Sequence, residues 1–278
     1  MNIVRQIING CIGSVKHALF KKLIRKEAVV IKDIETSILT GKHAFITGGT
    51  SGIGFAIAKK MVESGAKVTI IGRNIARAKE YSAELGCEYM IMDISDVPEM
   101  IKKTEGYLKD HNIDILVNCA GIRDHEPNLQ KTPESFDKIM NLNLKSTYFL
   151  CQTISNDMIK KHIKGHILNI SSSSSMRPGW GPYQLSKNAL NALTKGYAHM
   201  LACHGITVNA LAPGVTVTPM VEDVLEPGNL AYENTMRRAQ TPEEIANLAI
   251  FLASDLGNSI IGDTVFMTGG SGIIDRDV

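Results

Sequence analysis

The sequence Thr47-Gly48-Gly49-Thr50-Ser51-Gly52-Ile53-Gly54 lies between a short apolar run, His43–Thr47, and a segment with helical periodicity, Gly52–Ser64. A glycine-rich turn between a strand and a helix lets the backbone approach a pyrophosphate closely. The N-terminus of the helix then offers free N–H groups and the positive end of its dipole to the anion. Glycine patterns also occur in ordinary turns, but the position at the first strand–helix junction favours a dinucleotide site.

Strand-like and helix-like segments alternate along the rest of the chain. Nearly continuous apolar strands in such an alternation predict a doubly wound, Rossmann-type α/β fold, in which helices cover both faces of a parallel sheet. No internal repeat or linker divides this part, so we expect one catalytic domain over residues 41–278. The further strand candidates are Lys67–Ile71, Glu88–Met92, Ile113–Asn118, His166–Ser171, Ile206–Leu211 and Asp263–Thr268, and the longest helical stretches are Pro133–His162 and Pro182–Cys203.

Residues 1–40 form a predicted amphipathic helical extension. Apolar side chains recur at three- and four-residue steps from Ile3 to Leu23, and no acidic residue precedes Glu27. Polar interruptions argue against a secretory signal. Two interpretations stay open: a helix packed on the domain or on a second subunit, or an in-plane membrane anchor through residues 1–26. We favour the packed helix, because soluble proteins bury such helices more often.

The composition argues against several classes of protein. A net charge of +2 gives no reason to expect a nucleic-acid partner. Five scattered cysteines without a CxxC pair favour a reducing compartment and argue against a disulfide framework or a zinc site. No apolar run approaches the ~20 residues that span a bilayer. We therefore expect a cytoplasmic protein that needs no metal.

The end of the second predicted strand bears on the choice of dinucleotide. An NAD site usually places an acidic side chain here, where it accepts hydrogen bonds from the ribose 2′-OH. This sequence has Gly72 followed by Arg73 instead. A guanidinium suits a 2′-phosphate in charge and in geometry, although a surface arginine after a strand is the alternative. NADP(H) is therefore favoured over NAD(H).

Tyr183 and Lys187 are four residues apart in a predicted helix, so their side chains share one face. A tyrosine normally loses its proton near pH 10, and a neighbouring ammonium favours the phenolate, so we expect Lys187 to lower the pKa of Tyr183. Such a spacing also arises by chance as a surface pair. The serine run Ser171–Ser175 follows a predicted strand, at the sheet edge where α/β proteins bind ligands.

These motifs resemble the single-domain branch of the short-chain dehydrogenase/reductase family over about residues 40–272. The family's TGxxxGxG turn matches Thr47–Gly54, and its YxxxK pair matches Tyr183 and Lys187. Its NNAG motif is present as Asn118-Cys119-Ala120-Gly121, with a cysteine in place of the second asparagine, so that side chain's role is not transferred. Further matches are Asn143 in the long helix, Pro213-Gly214 followed by Thr218, Thr241–Ala246, and Gly269-Gly270.

The resemblance implies roles for individual residues. Tyr183 would be the general acid or base, Lys187 would lower its pKa and bind the nicotinamide ribose, and Asn143 would hold a water that links Lys187 to solvent. Ser172 would polarise the substrate oxygen, with Ser171 and Ser173 as open alternatives. The implied cofactor-binding residues are Gly48, Thr50, Ser51, Gly52, Ile53, Gly54, Arg73, Asp93, Asn118, Ala120, Gly121, Tyr183, Lys187, Pro213, Gly214 and Thr218.

The implied function is an NADP(H)-dependent oxidoreductase that transfers a hydride between nicotinamide and a small-molecule carbonyl or secondary alcohol. A 3-oxoacyl-carrier-protein reductase and a sterol, sugar or polyol dehydrogenase are not separated by these residues. A dinucleotide-binding regulator without turnover is the alternative from another class, since a fold does not dictate a function. An epimerase or dehydratase is disfavoured by the TGxxxGxG form. The resemblance also implies a homotetramer or homodimer.

Overall fold

The structure, a computed structural model, describes residues 37–124, 126–221, 232 and 234–272. Most of the predicted N-terminal extension, residues 1–36, lies outside this part. Ser37–Gly41 form turns, and Leu39 is completely buried in the core, with its N–H donating to the carbonyl oxygen of Ser64. The packed unit therefore includes residues just before the predicted boundary at residue 41.

Seven strands form one sheet, and every neighbouring pair of strands is parallel. The order across the sheet is β3-β2-β1-β4-β5-β6-β7. The strands are β1 His43–Thr47, β2 Lys67–Gly72, β3 Glu88–Ile91, β4 Ile115–Asn118, β5 His166–Ile170, β6 Thr207–Pro213 and β7 Thr264–Met267. Each predicted strand is present, with ends that differ by one or two residues. The doubly wound prediction is confirmed.

Seven α-helices of eight residues or more connect the strands in the described part of the chain. They are α1 Gly52–Glu63, α2 Ile75–Leu85, α3 Val97–Leu108, α4 Pro133–Met140, α5 Ser146–Lys160, α6 Pro182–Leu201 and α7 Pro242–Leu252. Local sequence sets several of their starts. Thr241 and Glu244 form a capping box at α7, with proline in the first turn, where its missing N–H costs no helical hydrogen bond.

The sheet is buried on both faces, and β1 shows how. Ala44 and Ile46 join a core cluster that includes Ile57 of α1 and Ile250 of α7, whereas Phe45 joins a second cluster. That second cluster includes residues of α3, α5 and α6. Successive side chains of a strand point to opposite faces, so one short apolar strand contributes to both cores.

The helix predicted over Pro133–His162 is interrupted. A π-helical turn, Asn141–Lys145, lies between α4 and α5. Such i→i+5 turns are rare, and they often occur at functional sites. Here the turn carries Asn143, which is 1% exposed.

Strand order reverses between β1 and β4, because the chain builds outward to β3 and then returns to the other side of β1. In open α/β sheets this reversal opens a crevice at the carboxyl ends of the strands, where ligands bind. The glycine turn after β1 lies at this crevice. No described helix is long and apolar enough to cross a membrane.

Candidate active site

The turn between β1 and α1 allows a very close backbone approach. Gly48 has a φ of +68°, and a Cβ there would lie 2.9 Å from the Cα of Ala120. A Cβ at Gly54 would lie 2.3 Å from the carbonyl oxygen of Gly48, so only glycine lets α1 begin against the turn. Ser51 caps α1 without a side-chain hydrogen bond to its first turn. These features fit a pyrophosphate at the helix N-terminus.

The carboxyl ends of the central strands surround a cleft of about 380 Å³. Most of the residues predicted from the sequence line it, although they come from distant parts of the chain. They are Gly48, Thr50, Ser51, Gly52, Ile53, Gly54, Arg73, Asp93, Ala120, Gly121, Ser172, Tyr183, Lys187, Pro213, Gly214 and Thr218. Asn118 and Asn143 are predicted site residues that do not line the cleft.

Asn118 ties strands together inside the core. It is 3% exposed, and its amide donates to Asn169 Oδ1 at 2.9 Å and to Cys151 Sγ at 3.3 Å. Asn169 in turn donates to Thr194 Oγ1 at 3.0 Å, which joins β4, β5 and α6. The side chain thus stabilises the end of β4, where the sequence predicted a cofactor contact.

Asn143 holds the segment after β4 on the π-helical turn. Its amide exchanges two hydrogen bonds with the backbone of Ile122, each 2.9 Å long, and donates to Ser186 Oγ at 3.1 Å. Gly121 lies between Asn143 and Lys187, since a Cβ there would be 3.4 Å from Asn143 Oδ1 and 3.6 Å from Lys187 Nζ. Asn143 therefore borders the lysine and fixes the neighbouring backbone.

Cys119, where the family has an asparagine, lies in a segment that backbone hydrogen bonds hold to Thr47. The Thr47 hydroxyl accepts hydrogen bonds from the N–H groups of Cys119, at 3.1 Å, and Ala120, at 3.2 Å. The segment is held by Thr47 whichever side chain residue 119 carries. Burial raises the pKa of the Cys119 thiol to about 12, although the charge of Lys187 opposes the rise. The thiol is therefore neutral at pH 7.

At the end of β2, Gly72 packs closely against the side chain of Thr50. A Cβ at Gly72 would lie 2.6 Å from Thr50 Oγ1. The next side chain, Arg73, is 66% exposed, and its guanidinium is 3.7 Å from the Asp93 carboxylate. Burial alone would raise the pKa of Asp93, but hydrogen bonds from Ser95 and the charge of Arg73 hold it below its ordinary value. Arg73 thus reaches the rim of the cleft beside an ionised carboxylate.

The serines of the run Ser171–Ser175 differ in the groups that they contact. Ser171 Oγ donates to Asn191 Oδ1 at 2.6 Å, and Ser175 Oγ accepts from the Asn191 amide at 2.9 Å, so both are held by α6. Ser172 lines the cleft close enough to Tyr183 that its side chain lowers the pKa of the tyrosine. The three candidate serines Ser171, Ser172 and Ser173 all line the cleft, and Ser172 is the one whose side chain affects the pKa of Tyr183.

Tyr183 and Lys187 lie on one face of α6, as their spacing predicts. Lys187 Nζ donates to the carbonyl oxygen of Ile170 at 2.7 Å and lies 5.9 Å from the centre of the Tyr183 ring. The prediction that Lys187 lowers the pKa of Tyr183 is wrong for the chain without a bound cofactor. Burial raises the pKa above its ordinary value, while Ser172 and the charge of Arg123 lower it in part. Burial lowers the pKa of Lys187 to about 8.

The chain matches known proteins over most of its length. A family model described as enoyl-(acyl carrier protein) reductase matches residues 48–271. The chain is 38% identical to a 3α-hydroxysteroid dehydrogenase of Mediterraneibacter gnavus, over 84% of this chain and 97% of that protein. It is 35% identical to a 3-oxoacyl-[acyl-carrier-protein] reductase of Rickettsia prowazekii, with the same coverage of both chains. The chain belongs to the short-chain dehydrogenase/reductase family.

A solved structure of the family gives the same result. This dehydrogenase superposes with a TM-score of 0.79 and 30% identity on a candidate NAD(P)-dependent gluconate 5-dehydrogenase of Beutenbergia cavernae, which contains NADP at low occupancy. The alignment covers 84% of this chain and 97% of that one. The protein is an NAD(P)-dependent oxidoreductase of alcohol and carbonyl groups.

Sequence reasoning missed one charged residue of the dehydrogenase site. Arg123 lines the cleft and is close enough to Tyr183 for its charge to affect the tyrosine pKa. A signal was available, since Arg123 lies in the segment that follows β4, at the ligand-binding edge of the sheet. Within the described residues, no group of three or more His, Cys, Asp or Glu side chains could hold a metal ion.

Proposed function

We propose that this dehydrogenase reduces a ketone, or oxidises the corresponding secondary alcohol, with Tyr183 as the proton donor or acceptor. The observation that carries the proposal is that Tyr183, Ser172 and Lys187 lie together in the wall of one cleft, with Ser172 close enough to the tyrosine to lower its pKa. Bound nicotinamide would supply or accept the hydride. Ser172 would hold the substrate oxygen beside the tyrosine hydroxyl, and reduction would move the phenolic proton to that oxygen.

The protonation states suit the reductive direction. Because burial raises the pKa of Tyr183, its hydroxyl is protonated at neutral pH and available to a carbonyl oxygen. Lys187 has a pKa of about 8, so most of it is charged at pH 7. An ammonium held on the carbonyl of Ile170 is placed to stabilise a phenolate once the proton has left.

NADP(H) is the proposed cofactor. Gly72 leaves the end of β2 without an acidic side chain, and Arg73 supplies a positive charge at the rim of the cleft. A guanidinium can pair with a 2′-phosphate through two N–H groups. Pyrophosphate binding would fall to the turn between Gly48 and Gly54, at the start of α1.

The substrate class is open among the activities named for the relatives. Their names include a hydroxysteroid, a carrier-bound oxoacyl group and gluconate. The decisive experiment incubates the purified chain with NADPH and pooled ketones, oxo acids and 3-oxoacyl thioesters, and follows absorbance at the nicotinamide wavelength. The reverse pools are alcohols with NADP. Turnover of one class supports the proposal, and a chain that binds NADPH but turns over no pool would contradict it.

We also propose a homo-oligomer in the cytoplasm, supported by the family's common assembly and by four free cysteines among the described residues. The two long helices α5 and α6 are the proposed contact. The exposed or half-exposed side chains of Tyr148, Phe149 and Leu193 form an apolar patch there. Light scattering is expected to give a dimer or tetramer at micromolar concentration, and a monomer would contradict the assembly.

A further inference from the structure

A short segment that follows β6, Gly214–Thr218, forms part of one wall of the cleft. Val215 also lines a second cavity of about 370 Å³, which shares Tyr183 with the cleft and does not include the glycine turn. Towards the other end of the cleft, a Cβ on Gly52 of the glycine turn would lie 3.1 Å from Thr218 Cγ2. The segment therefore reaches from the reactive tyrosine to the start of α1.

Gln240 holds this segment in place without lining the cleft itself. Its N–H donates to the carbonyl of Val215, and its carbonyl accepts from the N–H of Val217, both at 2.9 Å. These two backbone bonds form a parallel β-bridge, which any residue except proline could make at this position. The side chain adds a third bond, because Oε1 accepts from the N–H of Gly214 at 3.1 Å. Gln240 is 3% exposed, so this contact lies inside the protein.

The opposite side of Gln240 is anchored at the start of α7. The next residue, Thr241, is the N-cap of this helix, and its N–H donates to Glu244 Oε2 at 2.9 Å. The Arg238 guanidinium, two residues before Gln240, donates to both oxygens of Glu244, at 2.7 and 2.8 Å. These hydrogen bonds from Arg238 hold the pKa of Glu244 below its ordinary value. Gln240 therefore joins a fixed helix start to the cleft wall.

Gly214 is held from two directions. Its N–H also donates to the carbonyl of Met267 on β7, at 2.7 Å. Without Gln240 Oε1, the N–H would keep this second partner, so no buried donor would be left unpaired. Loss of the side-chain bond should therefore change the alignment of the cleft wall more than the stability of the fold.

We propose that Gln240 is a positioning residue for the nicotinamide half of the dinucleotide. Through Oε1 it fixes the backbone at Gly214 and Val215, the part of the cleft wall that borders the cavity with Tyr183. Hydride transfer needs the reacting atoms about 3–3.5 Å apart and aligned, so a small shift of this wall reduces the rate. The inference rests on the proposed function in one respect, because it places the nicotinamide at the Tyr183 end. The adenosine half would lie at the glycine turn and Arg73, which line the cleft but not the second cavity.

The test compares NADPH with 2′-phospho-ADP-ribose, which has every part of NADPH except the nicotinamide. NADH and ADP-ribose form a second pair, so the result does not depend on which dinucleotide the chain prefers. Gln240→Met keeps the length of the side chain and removes its oxygen acceptor, whereas Gln240→Glu keeps an oxygen acceptor. If Gln240→Met does not fold, Gln240→Asn, whose amide is one methylene further back, takes its place with the same expectations.

Asn209→Leu is the matched control. Asn209 is a buried amide that lines neither cavity, and its Oδ1 accepts from the N–H of Asp263 at 3.1 Å, as Gln240 accepts from Gly214. Its amide also donates to the carbonyl of Ile260 at 2.6 Å. Asn209→Leu loses both bonds, so it should lower Tm at least as much as Gln240→Met does. Binding and thermal melting are measured for every variant.

Gln240→Met should raise the Kd for NADPH about 2- to 12-fold, the range of one neutral hydrogen bond, and leave the Kd for 2′-phospho-ADP-ribose unchanged. Gln240→Glu should bind NADPH more tightly than Gln240→Met does. Asn209→Leu should bind both compounds as wild type does. With a substrate from the pooled screen, Gln240→Met should lower kcat and change the KM for that substrate much less.

Two binding results would overturn the inference. An equal rise in Kd for both members of a pair in Gln240→Met would mean that Gln240 supports the fold alone. An unchanged Kd for NADPH and for NADH would mean that the side-chain bond does not reach the cofactor. These measurements need no turnover, so they are separate from the test of the proposed function. A chain that binds NADPH but turns over no pool would contradict the proposed function, while the difference between NADPH and 2′-phospho-ADP-ribose would still decide the role of Gln240.

Discussion

Replacing Arg73 with alanine should weaken NADPH binding and leave NADH binding nearly unchanged. A charge-assisted contact with a 2′-phosphate is worth roughly 1.5–3 kcal/mol. Two features reduce this amount here, because the Arg73 side chain is 66% exposed and already faces Asp93 at 3.7 Å. After discounting for solvent screening and for the lost contact with Asp93, we expect about 1–2 kcal/mol, or about 5- to 30-fold in Kd for NADPH.

The assay for Arg73 is a fluorescence titration of NADPH and NADH into wild type, Arg73→Ala and Arg77→Ala. Arg77 is an exposed arginine in the first turn of α2 and does not line the cleft, so its variant controls for a general loss of positive charge. Because salt screens charges, added salt should reduce the difference in NADPH affinity between wild type and Arg73→Ala. Equal wild-type affinities for the two dinucleotides, or an unchanged ratio in Arg73→Ala, would refute the assignment.

Two further predictions concern stability. Burial and nearby lysines lower the pKa of His43 and of His166 below that of a free histidine, so the folded chain resists their protonation. The two neutral histidines contribute their full stability above about pH 6.5, and this stability is lost as the pH falls through their lowered pKa values. Tm should therefore drop between pH 7.5 and 5, and His43→Gln should make Tm depend less on pH. A Tm that rises on acidification would contradict this prediction. Deletion of residues 1–36, which lie outside the described structure, should lower Tm or change the oligomer size if their apolar stripe packs on protein. A stable truncated enzyme, together with salt-sensitive binding of the full chain to anionic vesicles, would favour the membrane interpretation instead.

The fold was predictable because its strands are buried on both faces. In runs such as His43–Thr47 and His166–Ile170, apolar residues follow one another directly, as expected for a strand that is buried on both faces. Glycine or the start of a helix marks the ends of these runs. The glycine turn, Arg73 and the serine run were predictable from their places at strand ends, and most other cleft residues were implied by the resemblance to a known family. The resemblance to a known family then supplied roles that spacing alone does not, above all for Tyr183 and Lys187.

Other features depend on contacts between distant residues and have no local pattern. The π-helical turn at Asn141–Lys145 shifts backbone hydrogen bonds by one residue in a sequence that also suits an α-helix. The side chain of Asn118 turns into the core because Asn169 and Cys151 meet it there. The pKa of Tyr183 is set mainly by its burial, which the spacing to Lys187 does not reveal.

The most direct test of the account is the turnover of Tyr183→Phe, once a substrate has been found in the pooled screen. The change removes only one hydroxyl from a residue in the cleft wall, so the variant should fold and bind NADPH as wild type does. General acid–base groups typically contribute 10²–10⁴-fold, and kcat should fall by about that factor. Tyr81→Phe, on α2 and outside the cleft, is the matched control and should keep full activity. Retention of more than about a tenth of wild-type kcat by Tyr183→Phe, with NADPH binding intact, would contradict its role as the proton donor.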